Sequence, residues 1–221
     1  MKHGLQIKPF PGYLIDRFDG WKRVRFEDSK AWYARLMEDG QRPRAMLISC
    51  CDSRLDTVSM FGAEPGDLFV VRNVANLVPP HSPDENHHGT SAAVEFAVKG
   101  LRVAHIVVVG HSNCGGVKAC HDLMCKGGEA GAESTYIDHW MSILRPGFER
   151  VSKNKNPAEA DPLRELEHEA VRTSIRNLQS FPFVQAAMET GMLSLHGAWI
   201  NIGEGKLHAL DPDSGAFVEH H

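Results

Sequence analysis

The chain contains no long apolar run and no excess of basic residues. Its 221 residues include no stretch that approaches the roughly 18–20 apolar residues needed to cross a bilayer. Lys and Arg number 24 against 28 Asp and Glu, and this net charge of −4 gives no electrostatic reason to expect nucleic acid or an anionic membrane as a partner. The first residues lack the apolar core of a signal peptide, so we expect a soluble, cytoplasmic protein.

Cysteine is scarce, and its arrangement argues against two common uses. The count of five is odd, Cys50 and Cys51 are adjacent, and no Cys-x-x-Cys pair occurs. A disulfide framework and a dithiol redox motif are both disfavoured, which leaves metal binding or catalysis. We expect Cys51 to point away from Cys50 and to pack in the core. Cys120 and Cys125 are expected to be small buried residues of a helix.

Two cysteines and one histidine have the character of a metal site. Cys50 is followed 61 residues later by His111 and then by Cys114. Two thiolates and one imidazole suit Zn²⁺ and leave a fourth tetrahedral position open. Asp52 and Arg54 follow the first cysteine and place a carboxylate and a guanidinium beside the proposed metal. Structural zinc sites usually close all four positions, so an open set beside an acid indicates catalysis.

Short apolar runs predict the fold class. Residues 45–49, 68–71 and 105–109 read as buried strands, and residues 90–100, with a Ser/Thr cap and a final Gly, read as a crossover helix. This alternation predicts an α/β fold with a mostly parallel central sheet flanked by helices. Residues 194–202 and 206–210 predict a C-terminal antiparallel edge hairpin.

Both cysteine motifs directly follow predicted strands. The carboxyl ends of parallel strands meet at one edge of a sheet, where ligands bind, so Cys50 and His111 could meet despite their separation. We expect a single domain over residues 1–221, with an N-terminal helical arm over residues 1–40. Residues 219–221, which end in two histidines, could be the remnant of a purification tag.

These motifs resemble those of the β-class carbonic anhydrases. That family carries Cys-x-Asp-x-Arg and His-x-x-Cys, which stand here at residues 50–54 and 111–114. Residues 64–76, 169–171 and 181–184 also resemble the family's cleft and C-terminal third, so the likeness covers roughly residues 20 to 210. The resemblance implies a zinc lyase that reversibly hydrates CO₂ to bicarbonate and a proton through zinc-bound hydroxide, with one Zn²⁺ per chain.

The resemblance also implies an assembly. The family's N-terminal helices pack on a second subunit, so a homodimer or a dimer-based homo-oligomer is expected. The sequence alone equally allows these helices to pack on their own core.

Asp52 and Arg54 are the catalytic residues that this resemblance implies. Asp52 would accept a hydrogen bond from bound water, and Arg54 would keep Asp52 ionised and away from the metal. In one kind of family member this Asp closes the site at lower pH, and a Trp stands three residues before the first cysteine ligand. The open kind has a Gln nine residues before that ligand. Leu47 and Gln41 occupy these positions here, which indicates the open, plant-like kind.

The substrate cleft is carried over residue by residue. Phe69 and Val74 match the apolar wall for CO₂, Gln41 would donate its amide N–H to a substrate oxygen, and Phe96 replaces a Tyr common in the family. Loop histidines could export the proton, and the sequence offers His81, His87 and His88.

Two other functions stay open at the level of sequence. One is a non-catalytic zinc protein that senses bicarbonate, which the presence of Asp52, Arg54 and Gln41 argues against. The other is a hydrolase that acts on carbonyl sulfide or carbon disulfide with the same metal hydroxide. Only the shape of the cleft distinguishes the second from CO₂ hydration.

Overall fold

The chain divides into two units, residues 1–41 and residues 42–221. The structure is a computed structural model and describes residues 7–82, 88–127, 136–153 and 161–220. His87, one of the three proposed proton-export residues, lies outside the described residues. Across the described parts of the chain, no helix is long and apolar enough to cross a membrane.

The first unit is helical. It contains α1 (Gly12–Trp21), a π-helical segment (Lys22–Phe26) and α2 (Glu27–Asp39), which ends at Gly40 with a positive φ of 72°. Four aromatic rings of this unit contact one another with centroid distances of 5.4–6.0 Å: Phe18, Trp21, Phe26 and Tyr33. The three helical segments have no buried residue. That these helices pack on a partner subunit stays a prediction.

The second unit is built on a six-stranded sheet with the order β2-β1-β3-β4-β5-β6. The strands are β1 (Ala45–Cys50), β2 (Leu68–Asn73), β3 (His105–His111), β4 (Ser194–Asn201), β5 (Lys206–Leu210) and β6 (Phe217–Glu219). The first four pair in parallel and the last two pair antiparallel. The predicted fold class is therefore confirmed. The hairpin is not the outermost element, however, because β6 adds to β5 and pairs Glu219 with His208.

Helices cover the sheet and connect its strands. They are α3 (Thr57–Met60), α4 (Gly89–Glu95) with a π-helical extension (Phe96–Leu101), α5 (Gly115–Cys125), α6 (Tyr136–Met141), α7 (Arg145–Lys153), α8 (Pro162–Leu178) and α9 (Pro182–Glu189). Neighbouring side chains of β1 enter two different apolar clusters, one containing Leu47 and the other Ile48. Because successive strand residues point to opposite faces, the sheet has an apolar layer on each side.

The register of the central strands sets the position of the functional site. β1 and β3 are parallel neighbours, and Ser49 pairs with Val109. Cys50 and His111 therefore end adjacent strands at the same edge of the sheet. The helix α5 begins directly after Cys114 and brings the third residue of the set to that edge.

The long helix α8 begins with a side-chain cap that offers a test of local stability. Asp161 Oδ1 accepts hydrogen bonds from the backbone N–H of Leu163 at 3.0 Å and of Arg164 at 3.4 Å. We expect Asp161→Ala to lower the free energy of unfolding by about 1 kcal/mol, because it removes an acceptor from the open first turn. Urea denaturation measures the change. Asp161→Asn keeps an acceptor, so its free energy of unfolding should fall much less. Equal falls in the two variants would contradict the capping argument.

Candidate metal centre

Cys50, His111 and Cys114 come together in the structure. All three side chains are buried, and their ligand atoms lie within 4.8 Å of one another. The two Sγ atoms are 3.8 Å apart. A tetrahedral Zn²⁺ with Zn–S bonds of about 2.3 Å would separate two sulfurs by about 3.8 Å. The cluster is therefore already spaced to hold one metal ion.

The orientation of the His111 ring supports the same fit. Its Nδ1 lies 2.9 Å from the carbonyl oxygen of Ser112, and since a carbonyl only accepts, Nδ1 must be the donor. In neutral imidazole the other nitrogen, Nε2, is then unprotonated. Nε2 is buried and has no hydrogen-bond partner among the described residues. An orphaned lone pair beside two thiols is what a metal ligand requires.

The two thiols shift each other's pKa through their contact. A hydrogen bond from Cys114 lowers the pKa of Cys50, and the same contact, together with burial, raises the pKa of Cys114. The backbone N–H groups of Asp52 and Ala75 also lower the pKa of Cys50, and the first amides of α5 act on Cys114 in the same direction. Metal binding requires both sulfurs as thiolates, because the thiolate is the metal-binding form.

Unusual backbone conformations build the turns that carry the amide of Ala75 and the first amides of α5. Ala75 and Asn113 have positive φ values of 62° and 55°, a left-handed conformation that is uncommon for residues with a side chain. Gly116, in the first turn of α5, approaches Val74 so closely that a Cβ would lie 2.6 Å from Val74 Cγ1. Glycine at this position lets α5 start against the turn after β2.

Asp52 and Arg54 form the predicted ion pair. Arg54 donates from Nε at 2.9 Å and from Nη2 at 2.7 Å to the two carboxylate oxygens, and its backbone N–H adds a third bond at 3.0 Å. These bonds hold the pKa of Asp52 well below its usual range, so the carboxylate is ionised. The carboxylate follows the ligand Cys50 by two residues, just beyond the end of β1. Arg54 Nη2 also donates to the carbonyl of Asn113 at 2.9 Å.

Arg72 fixes the loop that carries Asp52, a role that sequence reasoning did not identify. Its guanidinium donates to three backbone carbonyls, those of Cys50 at 3.0 Å, Asp52 at 2.7 Å and Leu55 at 2.7 Å. One side chain of β2 therefore satisfies the carbonyls of a turn that would otherwise be irregular and free to move.

The predicted substrate residues do not all lie together. Val74 lines a cavity of about 770 Å³ together with Cys51, Asn73 and Trp140. Phe69 and Phe96 instead contact each other, with ring centroids 5.8 Å apart. Phe69 packs against the apolar cluster on the other side of the sheet from the one that contains Val74. Gln41 belongs to the first unit. A contact of any of these four residues with substrate stays a prediction.

The cysteines outside the cluster are free, and two of them differ from expectation. Cys120 is buried, as predicted, but Cys51 and Cys125 are exposed. β1 ends at Cys50, so the strand alternation that would have turned Cys51 into the core does not reach it. Met124 is the last residue that α5 buries. Cys125 is the next residue of the helix and lies outside its buried face.

Glu167 is a further residue of the site that the sequence did not reveal. It lies in α8, is 3% exposed, and accepts hydrogen bonds from the backbone N–H of Cys114 at 3.0 Å and from Trp199 Nε1 at 3.1 Å. Burial raises the pKa of Glu167, although both donors oppose that shift. The sequence signal that could have identified Glu167 is its position directly after Leu166, within the apolar pattern of α8.

Comparison with known proteins decides the family. Residues 45–207, well over half of the chain, match the family described as carbonic anhydrase. The fold is also similar to the structure of the β-carbonic anhydrase CcaA, with a TM-score of 0.86 and 30% identity, covering 95% of this chain and 98% of that one. The chain belongs to the β-class carbonic anhydrase family. The predicted resemblance is thus confirmed, and zinc is the cofactor that the family uses and that the cluster fits.

Other β-class carbonic anhydrases show the same relationship. The chain is 33% identical over 189 residues to beta carbonic anhydrase 5, chloroplastic, of Arabidopsis thaliana, covering 85% of this chain. It spans 60% of the length of that curated relative. One of the two tetrameric β-carbonic anhydrases of Sordaria macrospora has a TM-score of 0.72 and 28% identity, covering 90% of this chain and 95% of that one.

Proposed function

We propose that this β-class carbonic anhydrase catalyses the reversible hydration of CO₂ to bicarbonate and a proton with one zinc ion. The observation that carries the proposal is a buried three-ligand cluster, Cys50, His111 and Cys114, with the ionised carboxylate of Asp52 two residues after its first ligand. Three protein ligands leave a coordination position for water, as catalytic zinc sites do.

When bound, zinc would supply the Lewis acid that brings the pKa of a coordinated water towards neutrality. Two thiolates weaken that effect because they cancel the charge of the ion. The backbone N–H groups of Asp52 and Ala75, which point at Cys50, draw charge from its sulfur and so offset part of the loss. The amides at the start of α5 act in the same way on Cys114.

In this proposal Asp52 orients the attacking water, and Arg54 fixes the orientation of the Asp52 carboxylate. An ionised carboxylate can only accept, so Asp52 would accept a hydrogen bond from water and fix its direction. Arg54 donates to both carboxylate oxygens, and this pairing disfavours a turn of the carboxylate towards the metal. The site is therefore proposed to stay open near neutral pH, as predicted for a chain with Gln41 and Leu47 at the distinguishing positions.

The cavity suits a small apolar substrate, and two of its lining residues adjoin the ligand Cys50: Cys51 follows it in the chain, and Asn73 pairs with it across the sheet. Val74, Trp140 and Ile143 contribute apolar surface to its lining, and Asn73 adds a polar side chain. Mostly apolar walls with few polar groups are typical of sites for small molecules. Gln41, Phe69 and Phe96 are proposed to contribute further contacts to CO₂ or bicarbonate.

We further propose a homo-oligomer assembled through the first unit and located in the cytoplasm. The first unit supports this assembly because it exposes large apolar side chains, among them Phe10, Tyr13 and Phe18. An exposed apolar patch of this kind is typical of a surface that another protein covers.

Stopped-flow CO₂ hydration on protein with measured zinc content tests the proposed reaction. We expect one zinc per chain, in line with the one cluster of ligands found among the described residues, and rapid hydration that persists towards neutral pH. The profile would run from about pH 6.5 to about pH 9, which brackets the titration of a metal-activated water. Activity confined to alkaline pH would contradict the open site. A zinc-loaded protein with no hydration would contradict the reaction, and carbonyl sulfide and carbon disulfide would then be assayed.

A further inference from the structure

We infer that Glu167 is a positioning residue for the metal centre and acts on the ligand Cys114 through its backbone amide. The inference rests on the proposed role of Cys114 as a metal ligand. Glu167 Oε1 accepts the Cys114 N–H at 3.0 Å, and Oε2 accepts the indole N–H of Trp199 at 3.1 Å. All three residues are nearly inaccessible, with exposed fractions of 3%, 1% and 4% for Glu167, Cys114 and Trp199.

The arrangement requires a carboxylate rather than any polar side chain of similar size. Two N–H donors face one side chain, so that side chain must present two acceptors. Glutamate has two, whereas the amide of glutamine has one acceptor and one donor group, and its NH₂ would face one of the two N–H groups. A buried donor left without a partner is costly, and the surrounding backbone would shift to avoid that loss.

Cys114 depends on this bond because the chain turns sharply on either side of it. Asn113, directly before it, is in the left-handed conformation, and α5 begins at the residue after it. The N–H of Cys114 precedes the helix and has no partner within it, so Glu167 supplies the acceptor that fixes this peptide. A shift of the peptide would move Sγ relative to Cys50 and His111.

Close packing brings Glu167 within reach of the turn. A Cβ at Gly110 would lie 2.7 Å from Val171 Cγ2 and 3.6 Å from the carbonyl oxygen of Glu167. The absence of a side chain at Gly110 therefore lets α8 lie directly against the end of β3. The same approach places the carboxylate against the residues that follow the strand.

Substitution with Co²⁺ tests the inference without relying on catalytic activity. Thiolate-bound Co²⁺ gives charge-transfer and d–d bands that report the positions of the sulfurs, and chelator competition gives the affinity. We expect Glu167→Gln to weaken Co²⁺ binding by roughly 10- to 100-fold and to change both bands, as loss of a group that orients a ligand does. The hydration rate should fall as well.

A neighbouring glutamate is the matched control. Glu169 is in the same helix and is also buried, but its carboxylate accepts from Arg150 and Arg176 rather than from a metal ligand. Glu169→Gln should destabilise the fold and leave the Co²⁺ spectrum and affinity of the folded protein unchanged. If the Glu167→Gln protein has the same Co²⁺ spectrum and Co²⁺ affinity as the Glu169→Gln protein, the inference is wrong.

A second-site change separates positioning from general destabilisation. Trp199→Phe removes one of the two donors, so glutamine at position 167 could then turn its carbonyl towards the Cys114 N–H. We expect Glu167→Gln with Trp199→Phe to bind Co²⁺ within a few-fold of Trp199→Phe alone, even where Glu167→Gln alone folds poorly. No recovery of affinity in the double variant would overturn the inference. If the Co²⁺-loaded wild-type protein shows no thiolate charge-transfer band, the assignment of the cysteines as metal ligands is wrong. The inference about Glu167 is then wrong as well.

Discussion

Cys114→Ser should abolish stoichiometric zinc binding and lower the rate of CO₂ hydration by roughly 10³-fold or more, since loss of the metal removes several kcal/mol of transition-state stabilisation. Serine nearly matches cysteine in size, so the buried turn before α5 should keep its shape. A hydroxyl, however, is a far poorer zinc ligand than a thiolate at neutral pH. Zinc content measured by metal analysis, beside stopped-flow hydration, gives both parts of the result.

The same substitution at two exposed cysteines provides the controls. Cys125 lies at the end of α5, and Cys51 directly follows the ligand Cys50, yet both side chains are exposed and outside the cluster. Cys125→Ser should therefore retain one zinc per chain and most of the activity, and Cys51→Ser, at a residue that lines the cavity, should retain one zinc per chain. Loss of zinc from Cys51→Ser would mean that this residue, rather than one of the three buried ligands, binds the ion.

The sheet and the metal ligands could be predicted because their signals are local. Each parallel strand of the pair β1 and β3 is a short apolar run, and Cys50 and His111 stand at the ends of these runs. Since carboxyl ends of parallel strands meet, two residues distant in sequence became neighbours on simple topological grounds. The chemistry of sulfur and imidazole then predicts zinc from the sequence alone.

The supporting residues could not be predicted because their partners are distant in sequence. Glu167 in a helix reads as a solvated acid, and only the packing of α8 on β3 brings it to Cys114. Arg72 similarly reads as an exposed strand residue, although it holds the loop that follows Cys50. β6 was missed because three residues are too few for a periodic signal.

The sequence leaves open which face of the sheet Phe69 and Val74 enter, and their contact with substrate stays a prediction. An apolar residue in a strand predicts burial but does not say which face of the sheet it enters. Phe69 packs against the cluster that contains Ile48 and contacts the ring of the exposed Phe96, whereas Val74 packs against the cluster that contains Leu47 and lines the cavity. This separation follows from strand alternation, because β2 directs Val70 to the same cluster as Val74 and Val71 to the same cluster as Phe69.

Arg54→Leu should lower CO₂ hydration at neutral pH by about 100-fold, and the loss should shrink as pH rises. The variant removes both guanidinium bonds to Asp52 and leaves only the backbone N–H at 3.0 Å. The pKa of Asp52 then moves up towards its usual value, but the carboxylate is still ionised at neutral pH and becomes free to take the fourth metal position. Hydroxide competes better with that carboxylate at higher pH, which gives the expected recovery.

The pH profile of hydration, with the Co²⁺ spectrum beside it, decides what Arg54 does. Arg54→Lys keeps the charge but cannot make two parallel hydrogen bonds to the carboxylate. Its hydration rate at neutral pH should therefore lie between those of the wild type and Arg54→Leu. Lys118→Leu removes an exposed ion pair with Asp122 elsewhere in the chain and should leave the profile unchanged. A loss in Arg54→Leu that is equal at all pH values would mean that Asp52 loses its orientation without closing the site. An unchanged profile would show that Asp52 stays off the metal without help, and the open site would then depend on the loop held by Arg72 instead.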